Sequence, residues 1–300
     1  MNIRIAIAQI NMHWTTPENV AAILRAMALA SAQGAKLCGF SELAVTGFHR
    51  HIAREATAEQ VGPAIRELQD GCARLSLGIA VGAPTFGAEA AKYNSHLLID
   101  EHGETRAVVS KRGLTEPEAT FFARGSSRPI ARLQGLNCSA VICREVGDLD
   151  LVVQDLKPGA ADIVFVPGAL RQDPEKFPTD PPEYVRDIQR LAMATGSYVV
   201  QTNWPNALNR PEESVDGGHS IVAAPDGEIM FRLPRQASGV GRRDLQSRSA
   251  AVRVAPAVTL ELFNVRGGEG ARSSPAAQVI RQCAGFTHPP IDCPVASRIN

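Results

Sequence analysis

The sequence predicts an α/β fold in four layers, α-β-β-α, with two sheets inside and helices outside. Short apolar runs rich in Ile, Val and Ala alternate with longer amphipathic stretches along the first 250 residues, which is the pattern of strands alternating with helices. Pairs of runs joined by tight glycine-containing turns interrupt that alternation and add antiparallel strands. Each amphipathic stretch has one apolar face to bury, so a helix layer covers one face of a sheet. Stacking two such sheets buries the remaining faces.

Taken in order, "IRIAIAQI" (3–10) reads as a buried strand. "TPENVAAILRAMALASAQGA" follows as a helix, with Thr16 as N-cap, Pro17 at the first helical position and Gly34 as stop. "KLCGF" (36–40) is a second strand, ending immediately before Ser41 and Glu42. "TAEQVGPAIRELQDGCARLS" reads as helix and "LGIAVGAP" as strand. "YNSHLLIDEHGETRAVVSK" is a strand pair turning at His102 and Gly103. Beyond a charged loop, "NCSAVIC" is strand, "DLDLVVQDLKPGA" helix, "DIVFVPG" strand, "PPEYVRDIQRLAMATG" helix and "SYVVQTN" strand. A last pair, "GGHSIVAAPDGEIMFRL", turns at Asp226 and Gly227. Residues 1–250 are therefore expected as one domain. Residues 251–300, with "RGGEGARSSPAAQ" and "THPPIDCP", are expected as an arm or tail packing on the domain or on a partner subunit.

Composition narrows the function. Apolar residues at 44% and charged residues at 21% allow a full core in a soluble chain, and aromatics at 5% make that core mostly Ala, Val, Leu and Ile. Lys plus Arg balances Asp plus Glu at 31 each, so nucleic acid and anionic membrane are not expected partners. No apolar run approaches the ~20 residues of a membrane span, and "MNIRIAIAQI" does not read as a secretion signal. The cysteines (38, 72, 138, 143, 283 and 293) form no C-x-x-C pair and read as reduced thiols, giving a cytoplasmic expectation. The "NCS" at Asn137 would be a glycosylation site only in a secreted chain.

Three apolar runs end on groups that can do chemistry. "KLCGF" leads to Glu42, "TRAVVS" to Lys111, and "AVI" to Cys143. In α/β sheets, sites gather beyond the carboxyl ends of strands, so three strand ends can meet at one pocket. Any one of these residues alone would read as a solvated rim group or an inert thiol.

The surrounding segments resemble the carbon–nitrogen hydrolases of the nitrilase superfamily, in its amidase-like branch. "GAKLCGFSELAVTGF" is similar to that family's "GADLVVFPELALTGY". "KRGLTEPEATFFARG" resembles its lysine segment, and "AVICREVGDLDLVVQDLKPGADI", without its doubled Ala, resembles its cysteine segment. "YNSHLLIDEHGE" and "GGHSIVAAPDGEI" match two further landmarks in the right order, so the resemblance covers roughly four fifths of the chain. It implies the family's α-β-β-α sandwich, a catalytic triad of Glu42, Lys111 and Cys143, and Glu118 in the place of a frequent second glutamate. No cofactor and no metal are implied. A small-molecule amide or related compound is the implied substrate, and a homodimer or higher homo-oligomer the implied assembly.

The residue types suit the chemistry. A thiolate attacks an amide carbon well, a glutamate can take the thiol proton and later activate water, and a lysine can hold the developing oxyanion. The sequence departs from the family at Ser41, Arg144, Asp150 and Val153, none of them in the triad. Asp150 keeps a carboxylate, shorter by one methylene, in place of the glutamate of "F-P-E". Val153 removes an arginine and its ion pair. Arg144 replaces an aromatic residue, and with Arg171 it is a candidate for binding a substrate carboxylate through paired hydrogen bonds. Pairing with Glu145 or Asp148 is the alternative for Arg144, and solvent for Arg171.

Five other readings compete. A nitrilase or acyltransferase could use the same triad, and an inactive binding protein could retain the scaffold. His49 and His51 in "HRH" would face one way on a strand as metal ligands, but lack a third ligand and read better as a solvated loop. Cys138 and Cys143, placed in one strand five residues apart, would face opposite ways and form no redox pair. "GVGR" at 239 lacks the third glycine of a dinucleotide fingerprint.

Overall fold

The computed structural model describes residues 2–169, 183–211, 217–233 and 258–266. Two six-stranded sheets form its centre. The first contains β1 (Asn2–Ile10), β2 (Leu37–Gly39), β3 (Gly78–Phe86), β4 (Lys92–Ile99), β5 (Thr105–Ser110) and β12 (Val258–Arg266), in the order β12-β1-β2-β3-β4-β5. The second contains β6 (Ala131–Leu133), β7 (Leu136–Ala140), β8 (Ile163–Gly168), β9 (Tyr198–Asn203), β10 (Ile221–Ala223) and β11 (Ile229–Arg232), in the order β11-β10-β9-β8-β7-β6. Each sheet has three parallel strands at its centre, β1-β2-β3 and β7-β8-β9, with antiparallel strands outside them.

Strand alternation builds the layers. Ile3, Ile5 and Ile7 pack between the sheets with Phe165, Val200 and Val222. Their neighbours Ala6, Ala8 and Ile10 pack the other way, with Ile23, Ala26 and Met27 of helix α1 (Thr16–Ala32) and Leu68 and Cys72 of α3 (Ala58–Leu75). Val164, Val166 and Val199 meet Ile188, Leu191 and Ala192 of α6 (Glu183–Thr195), beside α5 (Leu149–Asp155). The four predicted layers are present. His96 on β4 sits between the sheets against Phe165, and burial pushes its imidazole down to about 3, so the ring is neutral there.

Local differences from the sequence reading have physical causes. Helix α1 takes Thr15, not Thr16, as its N-cap residue, and Pro17 falls at the second helical position. Thr16 instead donates its backbone N–H and its hydroxyl to Glu55 at 2.7 and 2.8 Å. Strand β7 ends at Ala140, so Cys143 lies past the strand, on a 3-10 turn over Cys143–Gly147. Within the stretch expected as an arm or tail, Val258–Arg266 forms β12, which pairs along the whole of β1. Among the described residues no helix is long and apolar enough to cross a membrane.

Candidate active site

The parallel strands of both sheets deliver their carboxyl ends to one region. Glu42 follows β2, Cys143 follows β7, Ala169 follows β8 and Trp204 follows β9. Lys111 follows the antiparallel β5. The loop carrying Glu42 is clamped from both sheets. Thr202 donates to the Phe40 carbonyl at 2.7 Å and the Trp204 indole donates to the Glu42 carbonyl at 2.8 Å. From the other side it lies directly on Gly82 of β3, where a Cβ would stand 2.6 Å from the Ser41 carbonyl oxygen and closer still to the Leu43 nitrogen. Both are backbone atoms that cannot step aside. Gly82→Ala is therefore expected to displace Glu42, lowering kcat by ~10²-fold and stability by about 1–3 kcal/mol. Steady-state kinetics and urea denaturation on one preparation check both.

Lys111 is the centre of a buried charge cluster. Its side chain is 1% exposed, and its ammonium donates to Glu42 Oε1 at 2.8 Å and to Glu118 Oε1 at 2.6 Å. Burial alone would lower its pKa, but the charges of Glu42, Cys143 and Glu118 outweigh burial and raise it, so Lys111 is a fixed cation. Glu118 is held by the start of the short helix α4 (Glu116–Ala119). Its Oε2 accepts from the Thr115 backbone at 2.9 Å, while its own N–H donates to the Thr115 hydroxyl. Asn94 on β4 donates to Glu42 Oε1 at 2.8 Å and lies 3.5 Å from Glu118 Oε1. Among the described residues these contacts leave Glu42 Oε2 buried with no hydrogen bond from Lys111 or Asn94.

The thiol of Cys143 lies against the Glu42 carboxylate. Burial first, then the Glu42 charge, push it up to about 12; Lys111 and the backbone N–H of Ala169 pull the other way. The thiol therefore holds its proton until a base takes it. Cys143 itself has a left-handed backbone, φ 54°, which a non-glycine residue adopts at some cost. That conformation turns the chain out of β7 and into the following turn.

Glu145 secures this turn, and its role was not legible in the sequence. It is buried at 2% exposure, and its Oε2 accepts from the Ile142 N–H at 2.7 Å. Its Oε1 accepts from the N–H groups of Arg112 and Gly113 at 2.8 and 3.0 Å, and Arg128 lies across it at 3.3 Å. One carboxylate thus ties the residue before Cys143 to the two residues after Lys111. Burial would raise its pKa, but Arg128 and these donors hold it below the usual carboxylate range. Glu145→Ala strips buried Arg128 of its buried carboxylate, leaving only the Asp155 pair at 3.5 Å, and is expected to cost about 3 kcal/mol of stability, read from denaturant midpoints. The only sequence signal was a charge immediately beyond an apolar run.

The remaining candidates are dispersed. Arg144 is exposed, and its guanidinium pairs with Asp148 at 3.3 Å. It lines a cavity with Arg112, Gly113 and Asp155 that neither Cys143 nor Lys111 borders. Arg171 lies outside the described residues. Asp150 is exposed in the first turn of α5, whose N-cap residue is Asp148. His49 and His51 lie at a turn and not on a strand, and the expected solvated loop is wrong for His49, which is buried. Its Nε2 lies 3.1 Å from the Thr46 carbonyl and its Nδ1 accepts from the His51 N–H, so both ring nitrogens are engaged by backbone. Cys38, Cys72 and Cys138 are buried free thiols, each pushed up chiefly by burial.

The four-layer sandwich thus brings a thiol to the edge of a buried Glu–Lys–Glu cluster. A family model, carbon-nitrogen hydrolase, matches residues 4–254, and the chain belongs to that family. Among solved structures it is similar to the amidase of Nesterenkonia sp. AN1, at 26% identity over 78% of this chain. In one structure that amidase, a glutamate-to-glutamine variant, carries the acetamide moiety of fluoroacetamide covalently at its active-site cysteine, with a TM-score of 0.67 and 86% of that chain covered. A second structure of that variant shows Michael addition of acrylamide at the same cysteine (TM-score 0.66, 89% covered). A third shows a cysteine-to-alanine variant in complex with butyramide (TM-score 0.67, 87% covered). Comparison with curated proteins returns no match.

Proposed function

We propose that this protein hydrolyses a non-peptide carbon–nitrogen bond, in an amide or N-carbamoyl compound, through a thioester on Cys143. The carrying observation is the pairing of a desolvated thiol with a glutamate whose second oxygen has no other hydrogen bond, beside a fixed ammonium. Glu42 Oε2 takes the thiol proton as sulfur bonds to the amide carbon. The carbonyl oxygen becomes an oxyanion and receives a hydrogen bond from Lys111. An ammonium has three N–H donors and two are already used on Glu42 and Glu118, leaving one for that oxygen. Collapse breaks the C–N bond, and Glu42 returns its proton to the leaving nitrogen, releasing ammonia or an amine. Water then gives its proton to Glu42, attacks the thioester, and releases the acid with a restored thiol.

Glu118 orients the lysine and adds negative charge that keeps it protonated. Proton acceptor, nucleophile and oxyanion donor follow separate strands of two packed sheets, on segments held by hydrogen bonds from both, which fixes their spacing. The test is a panel of aliphatic amides, nitriles and N-carbamoyl compounds scored by ammonia release. Release from amides or N-carbamoyl compounds is expected. Turnover confined to nitriles would contradict the reading.

A further inference from the structure

Asn94 on β4 is buried, at 1% exposure, and reaches every member of the Glu42–Lys111–Glu118 cluster. Its backbone carbonyl accepts from the Lys111 N–H at 2.8 Å. Its side-chain Nδ2 donates to Glu42 Oε1 at 2.8 Å and reaches Glu118 Oε1 at 3.5 Å. The Lys111 ammonium meets the same two oxygens, at 2.8 and 2.6 Å. A neutral amide and a cation therefore close a ring with one oxygen of each glutamate. The amide orientation follows from this geometry. Turned over, Oδ1 would face two carboxylate oxygens with no proton to share.

We infer that Asn94 is a positioning residue for the hydrolysis: its N–H fixes the Glu42 carboxylate so that Oε1 stays bound and Oε2 stays available for the thiol proton. The inference rests on the hydrolase reading above and adds a residue to that site. The last torsion of a glutamate side chain is broad and roughly two-fold, so a carboxylate held by a single donor can rock or exchange its oxygens. Two donors converging on Oε1 fix its plane. The amide also fills the second acceptor position of Oε1 without adding charge. The third N–H of Lys111 is then left for the oxyanion and is not drawn to Glu42.

The test compares Asn94→Leu and Asn94→Asp with the wild type on an aliphatic amide that the wild type turns over, with ammonia release as the readout and thermal unfolding recorded on each preparation. Assays run at about pH 8, well above the ordinary range of an Asp carboxyl. Leu is close to Asn in size and has no donor. Asp keeps the shape of Asn and exchanges the N–H for a charge that repels Glu42. Both variants are expected to fold and to lose kcat by ~10–10²-fold, with KM within about twofold of wild type. The loss in Asn94→Asp is expected to be at least as large as that in Asn94→Leu, whereas a packing role would spare Asn94→Asp, the closer match in shape. Wild-type kcat in either folded variant, or a loss carried by KM alone, would overturn the inference and leave amide hydrolysis standing. Absence of ammonia release from every amide with the wild type would overturn the hydrolase reading, and this inference with it.

Discussion

Cys143→Ala is expected to lower amide turnover by at least ~10³-fold with the fold unchanged. The thiol is the one group in the cluster able to form a covalent bond to an amide carbon, and Ala has no substitute for it. The side chain sits on a turn past the end of β7 and loses one sulfur atom, so the two sheets keep their cores. Cys138→Ala is the paired control. That thiol lies in β7 between the sheets, 0% exposed, and contributes packing. Its replacement is expected to cost stability and to leave kcat close to wild type. Equal losses of activity in both variants would mean that the effect follows the core and not the nucleophile.

Lys111→Met is the second large effect, at ~10²–10³-fold in kcat. It removes the oxyanion donor and at the same time leaves Glu42 and Glu118 buried without their cation. Two like charges sharing a site cannot both remain ionised cheaply, so one of them takes up a proton. The proton acceptor for the thiol is compromised along with the oxyanion site. A thermal unfolding scan on the same preparation separates this from loss of the fold. A folded Lys111→Met protein that keeps wild-type kcat would contradict the oxyanion role.

The fold was legible because period-2 alternation and amphipathic helices are local signals. β1 shows this in its Ile3-Ile5-Ile7 and Ala6-Ala8-Ile10 faces, which go to opposite layers. Strand β12 was missed because the surrounding sequence, rich in Gly, Ser and Pro, outweighed one alternating segment. The Glu42, Lys111 and Cys143 positions were legible as reactive residues at the ends of apolar runs, and the family resemblance supplied their grouping. Asn94, Glu145 and Arg128 were not. Their partners lie 52, 33 and 17 residues away along the chain, and no local pattern encodes such pairings. For Arg144 the sequence offered two readings, a substrate carboxylate or an acidic neighbour, and the structure shows the neighbour. A charge beside the nucleophile in sequence points to Asp148 one helical turn away, because neighbours along the chain need not share a cavity.

The central claim is that Cys143 carries the reaction, and alkylation by fluoroacetamide measures it directly. The reagent forms an S–C bond at a thiol as fluoride leaves and the thiol proton is lost. Peptide mapping by mass spectrometry, run on samples drawn as activity decays, gives the site and extent of modification. The expected result is loss of amidase activity in proportion to modification of Cys143, with Cys38, Cys72 and Cys138 untouched behind their burial. A protein fully modified at Cys143 that still hydrolyses its amide at the wild-type rate would contradict the account.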